Sequence, residues 1–430
     1  MTITPVAPHD DQAPDTSSID LGALRWDDPT MWAEIDREAV FAKMRADRRV
    51  LWCDEPEIPG FGKGPGFWSL SRHADVMEVS RNPQRFVSGR GTSIPDMPPE
   101  IGEFFGSMIN MDAPRHTRLR LIVNRAFTPR QVARIDADVQ KRAEAIVDAI
   151  ADRGECDFVS EIAARLPLEL ICEMMGIPTS QYQRMFELTN TILGGGDPEY
   201  TPDFLALMNA AVELSQMAQE LGRERLENPT DDLTSALMHA EVEGEDGTVQ
   251  RLSTEELGSF FILLAAAGNE TTRNAISHGM YALSTHPDQR RILVDDFETV
   301  IPTAVEEIVR WATPVIHFRR TATEDCELGG QSISAGDKIV MWFNSADRDE
   351  AVFDDPYRFD VRRSPNDHVG FGAGGPHFCL GANLARREIT VMFRELLRRL
   401  PDIEITGEPD FLQSAFIHGI KRMPCAFTPR

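Results

Sequence analysis

Phe371-Gly372-Ala373-Gly374-Gly375-Pro376-His377-Phe378-Cys379-Leu380-Gly381, followed at once by Ala382-Asn383-Leu384-Ala385-Arg386-Arg387-Glu388, is the stretch that decides how the chain is read. It places one cysteine in a glycine-rich loop directly before a helical run. Amides at a helix start carry partial positive charge and favour a thiolate over a thiol, so this sulfur suits a metal ligand. Taken alone, the pattern equally fits a small buried cysteine in a turn. Zinc is the weaker alternative, because His377 and Cys379 have no second closely spaced Cys or His pair.

The surrounding chain has 430 residues, 42% of them hydrophobic, enough for a large core and for two or three average domains. Its net charge of −25 repels nucleic-acid phosphates and acidic lipid headgroups, which excludes both as general partners. Cys53, Cys156, Cys172, Cys326, Cys379 and Cys425 are scattered without paired spacing, so a reducing compartment is expected and disulfides are not. Residues 1–19 have neither a basic start nor an apolar run, and read as a flexible tail rather than a signal or anchor. The longest apolar run, 260–267, is too short to span a bilayer. A soluble, cytoplasmic protein without a membrane anchor is therefore expected.

Helical periodicity predicts helices over 31–46, 73–81, 115–125, 130–151, 166–175, 180–192, 202–226 and 231–239, with short strands at 50–53, 66–70, 316–321 and 338–343. Residues 194–196 and the acidic 241–247 read as surface loops. Ser253-Thr254-Glu255-Glu256 is a capping box, and the periodic pattern behind it runs to His286-Pro287, a helix of roughly 30 residues and about 45 to 50 Å. In its middle stands Ala266-Ala267-Gly268-Asn269-Glu270-Thr271-Thr272. Gly268 costs a helix about 1 kcal/mol relative to alanine, and a hydroxyl at Thr271 can bond a carbonyl one turn back and open the helix locally. The same small residues also suit a close helix–helix contact.

Two further pairs are weak by themselves. Glu307 and Arg310 lie three apart on one helix face, worth a few tenths of a kcal/mol if exposed. His116 and Arg120 lie four apart, entered through Asp112-Ala113-Pro114, and alone suit an ordinary helix surface.

In this order the elements resemble the cytochromes P450. Phe371, Gly374, His377, Cys379 and Gly381 fill that family's signature, with one residue more than usual between Gly374 and His377. The resemblance implies a mainly α fold with a smaller β-rich lobe, one domain over 20–430, and a haem b whose iron takes an axial thiolate from Cys379. It also implies cofactor contacts from Ala267, Gly268, Phe371, Gly372 and Gly381, and propionate partners in His116, Arg120, Arg320 and His377. Glu270 and Thr271 become the acid and alcohol that steer protons toward dioxygen. Glu307, Arg310 and Arg358, the last in Asp355-Pro356-Tyr357-Arg358-Phe359-Asp360, become a buried structural triad. Asp347 stands where the family commonly has asparagine.

The implied activity is a monooxygenase using O2 and electrons from a ferredoxin and its reductase, with Arg115, Arg118, Arg125, Arg130, Arg386 and Arg387 as a candidate docking surface. Gly102-Glu103-Phe104-Phe105-Gly106-Ser107-Met108, 304–310, Pro314-Val315 and Phe416-Ile417-His418-Gly419 resemble a soluble actinobacterial subgroup that hydroxylates methyl-branched lipids and sterol side chains. The pocket implied by that likeness is apolar: Ile94, Phe104, Phe105, Met108, Leu263, Val315, Ile316, Phe416 and Ile417. Alternatives are another apolar metabolite as substrate, a terpenoid or macrolide, or a haem-thiolate gas or redox sensor. The sensor would have no use for Glu270 and Thr271.

Overall fold

The computed structural model describes residues 12–430 except 27, 48, 56, 59–61, 127–128 and 244–247; of 57–58, 129–134 and 136 it describes the backbone alone. Of the expected tail, 1–11 lies outside the described residues. Residues 12–19 form no helix or strand, and Ile19 already packs against the aromatic cluster of Trp26, Trp32, Phe41 and Trp342.

The molecule is organised around one helix, Thr254–Thr285. Its start is set by the capping box: Ser253 Oγ accepts the Glu256 amide at 3.1 Å, and the Glu256 carboxylate accepts the Ser253 amide at 2.9 Å. At 32 residues it spans about 48 Å. Apolar residues cover most of its circumference, so neighbours must surround it. Helices Phe204–Glu227, Arg165–Met175, Phe297–Ala312 and Ala382–Arg399 all pack on it. Small residues mark the closest crossings. A Cβ at Gly279 would lie 2.9 Å from both Ile308 and Phe393, and one at Gly268 would lie 2.5 Å from Ile171.

The β-rich part is a five-stranded sheet in the order Val50–Cys53, Phe67–Leu70, Lys338–Trp342, His317–Ala322, Phe86–Val87. Only the Phe67–Leu70 and Lys338–Trp342 pairing is parallel. Lys338–Trp342 is buried on both faces: Ile339 and Met341 join one apolar cluster, Val340 and Trp342 the aromatic one. A smaller sheet joins Glu404–Ile405, Pro424–Ala426 and Glu155–Asp157. It sets Cys156 opposite Cys425, as thiols.

Most expected helices appear with ends shifted by a residue or two. The exception is 31–46, which is two helices, Pro29–Glu34 and Arg37–Asp47. The chain is extended at Ile35, and Asp36 caps the second helix by accepting the Ala39 amide at 3.1 Å. The expected loop at 241–247 forms part of a hairpin between Val242–Glu243 and Val249–Gln250, its residues 244–247 lying outside the described ones. Among the described residues no helix is long and apolar enough to cross a membrane.

Candidate functional site

The cysteine loop is a glycine turn fastened at both ends. Cys379 donates its amide to the Phe371 carbonyl at 2.9 Å, closing the loop, and Ala382–Arg399 begins three residues later. The additional residue is absorbed by glycine. Gly374 and Gly375 both have left-handed φ, +82° and +77°, the Gly374 carbonyl accepts Ser80 Oγ at 2.8 Å, and a Cβ at Gly375 would collide with the Ser80 carbonyl oxygen. The longer loop is thus seated on the end of helix His73–Arg81. Cys379 remains accessible although protein encloses its sulfur on most sides. That enclosure pushes the thiol up, against the Gly381 amide, Arg120 and Arg386, which favour the thiolate. The lowering expected from the helix start is outweighed until a cation binds the sulfur.

On the central helix Ala267 is exposed and Thr271 half-buried, whereas residues on the opposite faces of that helix are buried. Accessible small side chains within a close-packed interior mark a hollow. Thr271 Oγ1 donates to the Ala267 carbonyl at 2.6 Å, the local back-bond the sequence suggests. Gly268 also serves packing. Its missing side chain lets Arg165–Met175 approach through Ile171, the helix–helix reading.

Two arginines and two histidines gather beside the loop: His116 and Arg120 from helix Arg115–Ala126, Arg320 from the sheet, and His377. The two histidine rings stand 4.3 Å apart, and Arg120 Nη2 donates to the Phe378 carbonyl at 2.8 Å. Burial, then Arg320, His116 and Arg120, push His377 down to about 2. Burial pushes Arg320 down to about 10, and burial with Arg120 lowers His116. His116 Nε2 is buried with no partner. The carboxylate acting on this group, Asp112, is already held by the amides of Ser88 and Gly89 at 2.9 and 2.7 Å. Two arginine charges and two imidazoles held in the neutral form, one with an unpartnered buried ring nitrogen, converge here, and two carboxylates of a bound cofactor would complement them. The residues fit a haem.

Behind the loop, Glu307 and Arg310 are fully buried and paired at 2.7 and 2.8 Å. The third member is Arg363, whose Nε lies 3.1 and 3.2 Å from the Glu307 oxygens; it is not Arg358. Arg358 is exposed and contributes its backbone carbonyl, which accepts from both Arg310 and Arg363. Asp347 is buried and ties this network to the cysteine loop, accepting Thr313 Oγ1 at 2.9 Å and the Val369 amide at 2.7 Å.

A sequence model described as "Cytochrome P450" matches residues 199–401. The methyl-branched lipid omega-hydroxylase of Mycobacterium tuberculosis strain H37Rv is 51% identical over 417 residues, 96% of this chain and 95% of that protein. The chain belongs to the cytochrome P450 family. The steroid C26-monooxygenase of Mycolicibacterium smegmatis is 42% identical over 90% of each chain. A Mycobacterium marinum cytochrome P450 solved in complex with pseudoionone superposes with a TM-score of 0.87 at 44% identity, covering 95% of this chain and 98% of that one. This P450 is accordingly a haem-thiolate monooxygenase acting with O2 on an apolar molecule.

Glu270 lies deeper than its neighbour Thr271. It is buried and ion-paired with Arg273, and Asn274 Nδ2 donates to the same oxygen at 3.1 Å while Oε2 has no partner. Arg273 in turn donates to Asn190 Oδ1 at 2.7 Å, on helix Tyr182–Leu193. Sequence reasoning missed Arg273 and Asn190, although an acid and a base three apart on a helix is a readable signal.

The apolar lining divides. Phe104, Phe105, Leu263, Val315 and Phe416 are partly exposed, as lining residues are; Met108 and Ile417 are buried. Ile94 and Ile316 are core residues in the Trp26 and Trp342 cluster, 1% and 0% exposed, which removes them from the pocket. The expected docking arginines are largely spoken for. Arg115 pairs with Glu103, Arg118 with Glu256 and Arg386 with Glu306, each at 2.6 Å, and Arg125 donates to the Glu241 carbonyl. Arg387 is engaged as well, and the side chain of Arg130 lies outside the described residues.

Proposed function

We propose that this P450 hydroxylates the terminal carbon of a methyl-branched lipid or of a sterol side chain. The supporting observation is the 51% identity, over nearly the full length of both chains, with a protein named for omega-hydroxylation of methyl-branched lipids. The steroid relative is also named for attack at one numbered carbon, C26. Apolar Phe104, Phe105, Leu263, Val315 and Phe416 favour such a molecule, since buried carbon contributes about 25 cal/mol per Å².

Cys379 would hold the haem iron, with His116, Arg120, Arg320 and His377 on the propionates and Ala267, Phe371, Gly372 and Gly381 alongside. The bound haem supplies activation of O2 and insertion of one oxygen atom into a C–H bond. Thr271, its proton committed to the Ala267 carbonyl, presents oxygen lone pairs to the hollow and orients a water there. Glu270, a carboxylate held by Arg273 and Asn274 with its second oxygen free, would relay protons, taking one up from solvent at that oxygen and passing it to that water. A primary C–H bond is harder to break than its secondary and tertiary neighbours, so the pocket must fix the tail with its end foremost.

A ferredoxin with its reductase is the inferred electron donor and the cytoplasm the inferred location. Residues 20–430 act as one domain in this reading. The test supplies reduced ferredoxin, O2, and branched and straight chains of equal length, and identifies the products. Terminal alcohols favoured from the branched chain support the reading; mainly in-chain alcohols, or tight productive binding of a polar macrolide, reject it.

A further inference from the structure

We propose that Arg386, fixed by Glu306 and His368, is a positioning residue that sets the electrostatic potential at the Cys379 sulfur. The Arg386 guanidinium lies 4.4 Å from the centroid of the Phe371 ring, and the Phe371 carbonyl accepts the Cys379 amide at 2.9 Å. Cation, ring and sulfur-bearing residue thus form one continuous arrangement.

The charge cannot swing away. Arg386 Nε and Nη2 donate to the two Glu306 oxygens at 2.6 and 2.9 Å, and His368 Nε2 lies 2.9 Å from the second of them. His368 itself leans on Phe371, ring centroids 5.8 Å apart. A planar two-pronged guanidinium holds such an orientation where a lysine would not. Burial works against the Glu306 charge, but His368 and Arg386 outweigh it and hold the carboxyl at about 2. An arginine serving a docking partner extends into water. Arg386 instead turns inward onto Phe371, with a third of its side chain exposed.

A positive charge beside the sulfur draws electron density from it and favours the reduced iron; the Glu306 charge opposes this. The inference rests on Cys379 being the axial ligand. The experiment measures the ferrous-to-ferric ratio of substrate-free holoenzyme at a fixed solution potential, by absorption. Arg386→Gln should lower the ratio and Glu306→Gln should raise it, each on the order of tenfold for one unit of charge at roughly 10 Å in an effective dielectric of about 20. Arg386→Lys should recover part of the loss. Arg394→Gln, which breaks a comparable pair with Glu298 at 3.0 Å further along the same helix, should change nothing. Shifts of the same sign in R386Q and E306Q, no shift in either, or an equal shift in R394Q would overturn the inference. A wild-type holoenzyme lacking the red-shifted carbon-monoxide band of thiolate ligation would overturn the ligand assignment and this inference together.

Discussion

Replacing Arg363 by alanine removes more than one charge. Its Nε reaches both Glu307 oxygens, and its terminal nitrogens donate to the carbonyls of Asp354, Asp355 and Arg358 at 2.6, 3.0 and 2.8 Å. Glu307 is 0% exposed, so losing a partner leaves part of a carboxylate charge uncompensated in the interior. Breaking a buried pair outright costs about 3–5 kcal/mol. Arg310 still holds Glu307 at 2.7 and 2.8 Å, which places Arg363→Ala near the lower end, about 3 kcal/mol. Arg310→Ala should cost more, because it also releases the carbonyls of Asp347 and Pro356. Arg358→Ala, at an exposed side chain, should stay within about 0.5 kcal/mol of wild type. Urea midpoints by circular dichroism, with retained haem as a second readout, measure the order. Equal damage from Arg358→Ala and Arg363→Ala, or a silent Arg363→Ala, would refute the account of the network.

Three further outcomes are expected. Gly375→Ala should destabilise the cysteine loop through collision with the Ser80 carbonyl and a left-handed φ, seen as faster haem loss to an apo-acceptor; Gly336→Ala, equally left-handed but in open space, should spare haem retention. Acid should weaken the fold through two histidines: burial pushes His278 and His317 down to about 4, below the unfolded value of about 6.5, so their contribution is full above pH 6.5 and falls as pH drops toward 4, by up to about 3 kcal/mol per histidine. A flat urea midpoint between pH 6.5 and 4.5 would contradict this. Thr271→Ala should keep haem and substrate binding yet divert electrons to peroxide, whereas normal coupling of electrons to product would remove Thr271 from proton steering.

What was legible in the sequence is what short-range chemistry encodes. Ser253 and Glu256 announce the central helix because a capping box is local, and His116 and Arg120 share a face because the helix repeat demands it. The cysteine loop was readable from its glycines. Other features depend on where the chain returns after long excursions. The segment 358–363 holds Arg358, Arg362 and Arg363 within six residues, and only the fold chooses which one turns back to Glu307. Ile94 and Ile316 carry the same apolar character as the partly exposed Phe104 or Leu263; pairing with Trp26 and Trp342 makes them core. Glu155–Asp157 and Pro424–Ala426 are too short for any period to show, and they meet across most of the chain. The arginines near the loop read as surface charge until Glu103, Glu256 and Glu306 arrive from other segments to pair with them.

The central claim is that Cys379 delivers a thiolate to haem iron. The most direct test is the absorption spectrum of the reduced, carbon-monoxide-bound holoenzyme, beside Cys379→Ala and, as a control, Cys172→Ala. The account predicts a red-shifted band in the wild type and in Cys172→Ala that disappears in Cys379→Ala. A wild-type protein that binds haem without that band, or a Cys379→Ala variant that keeps it, would contradict the account.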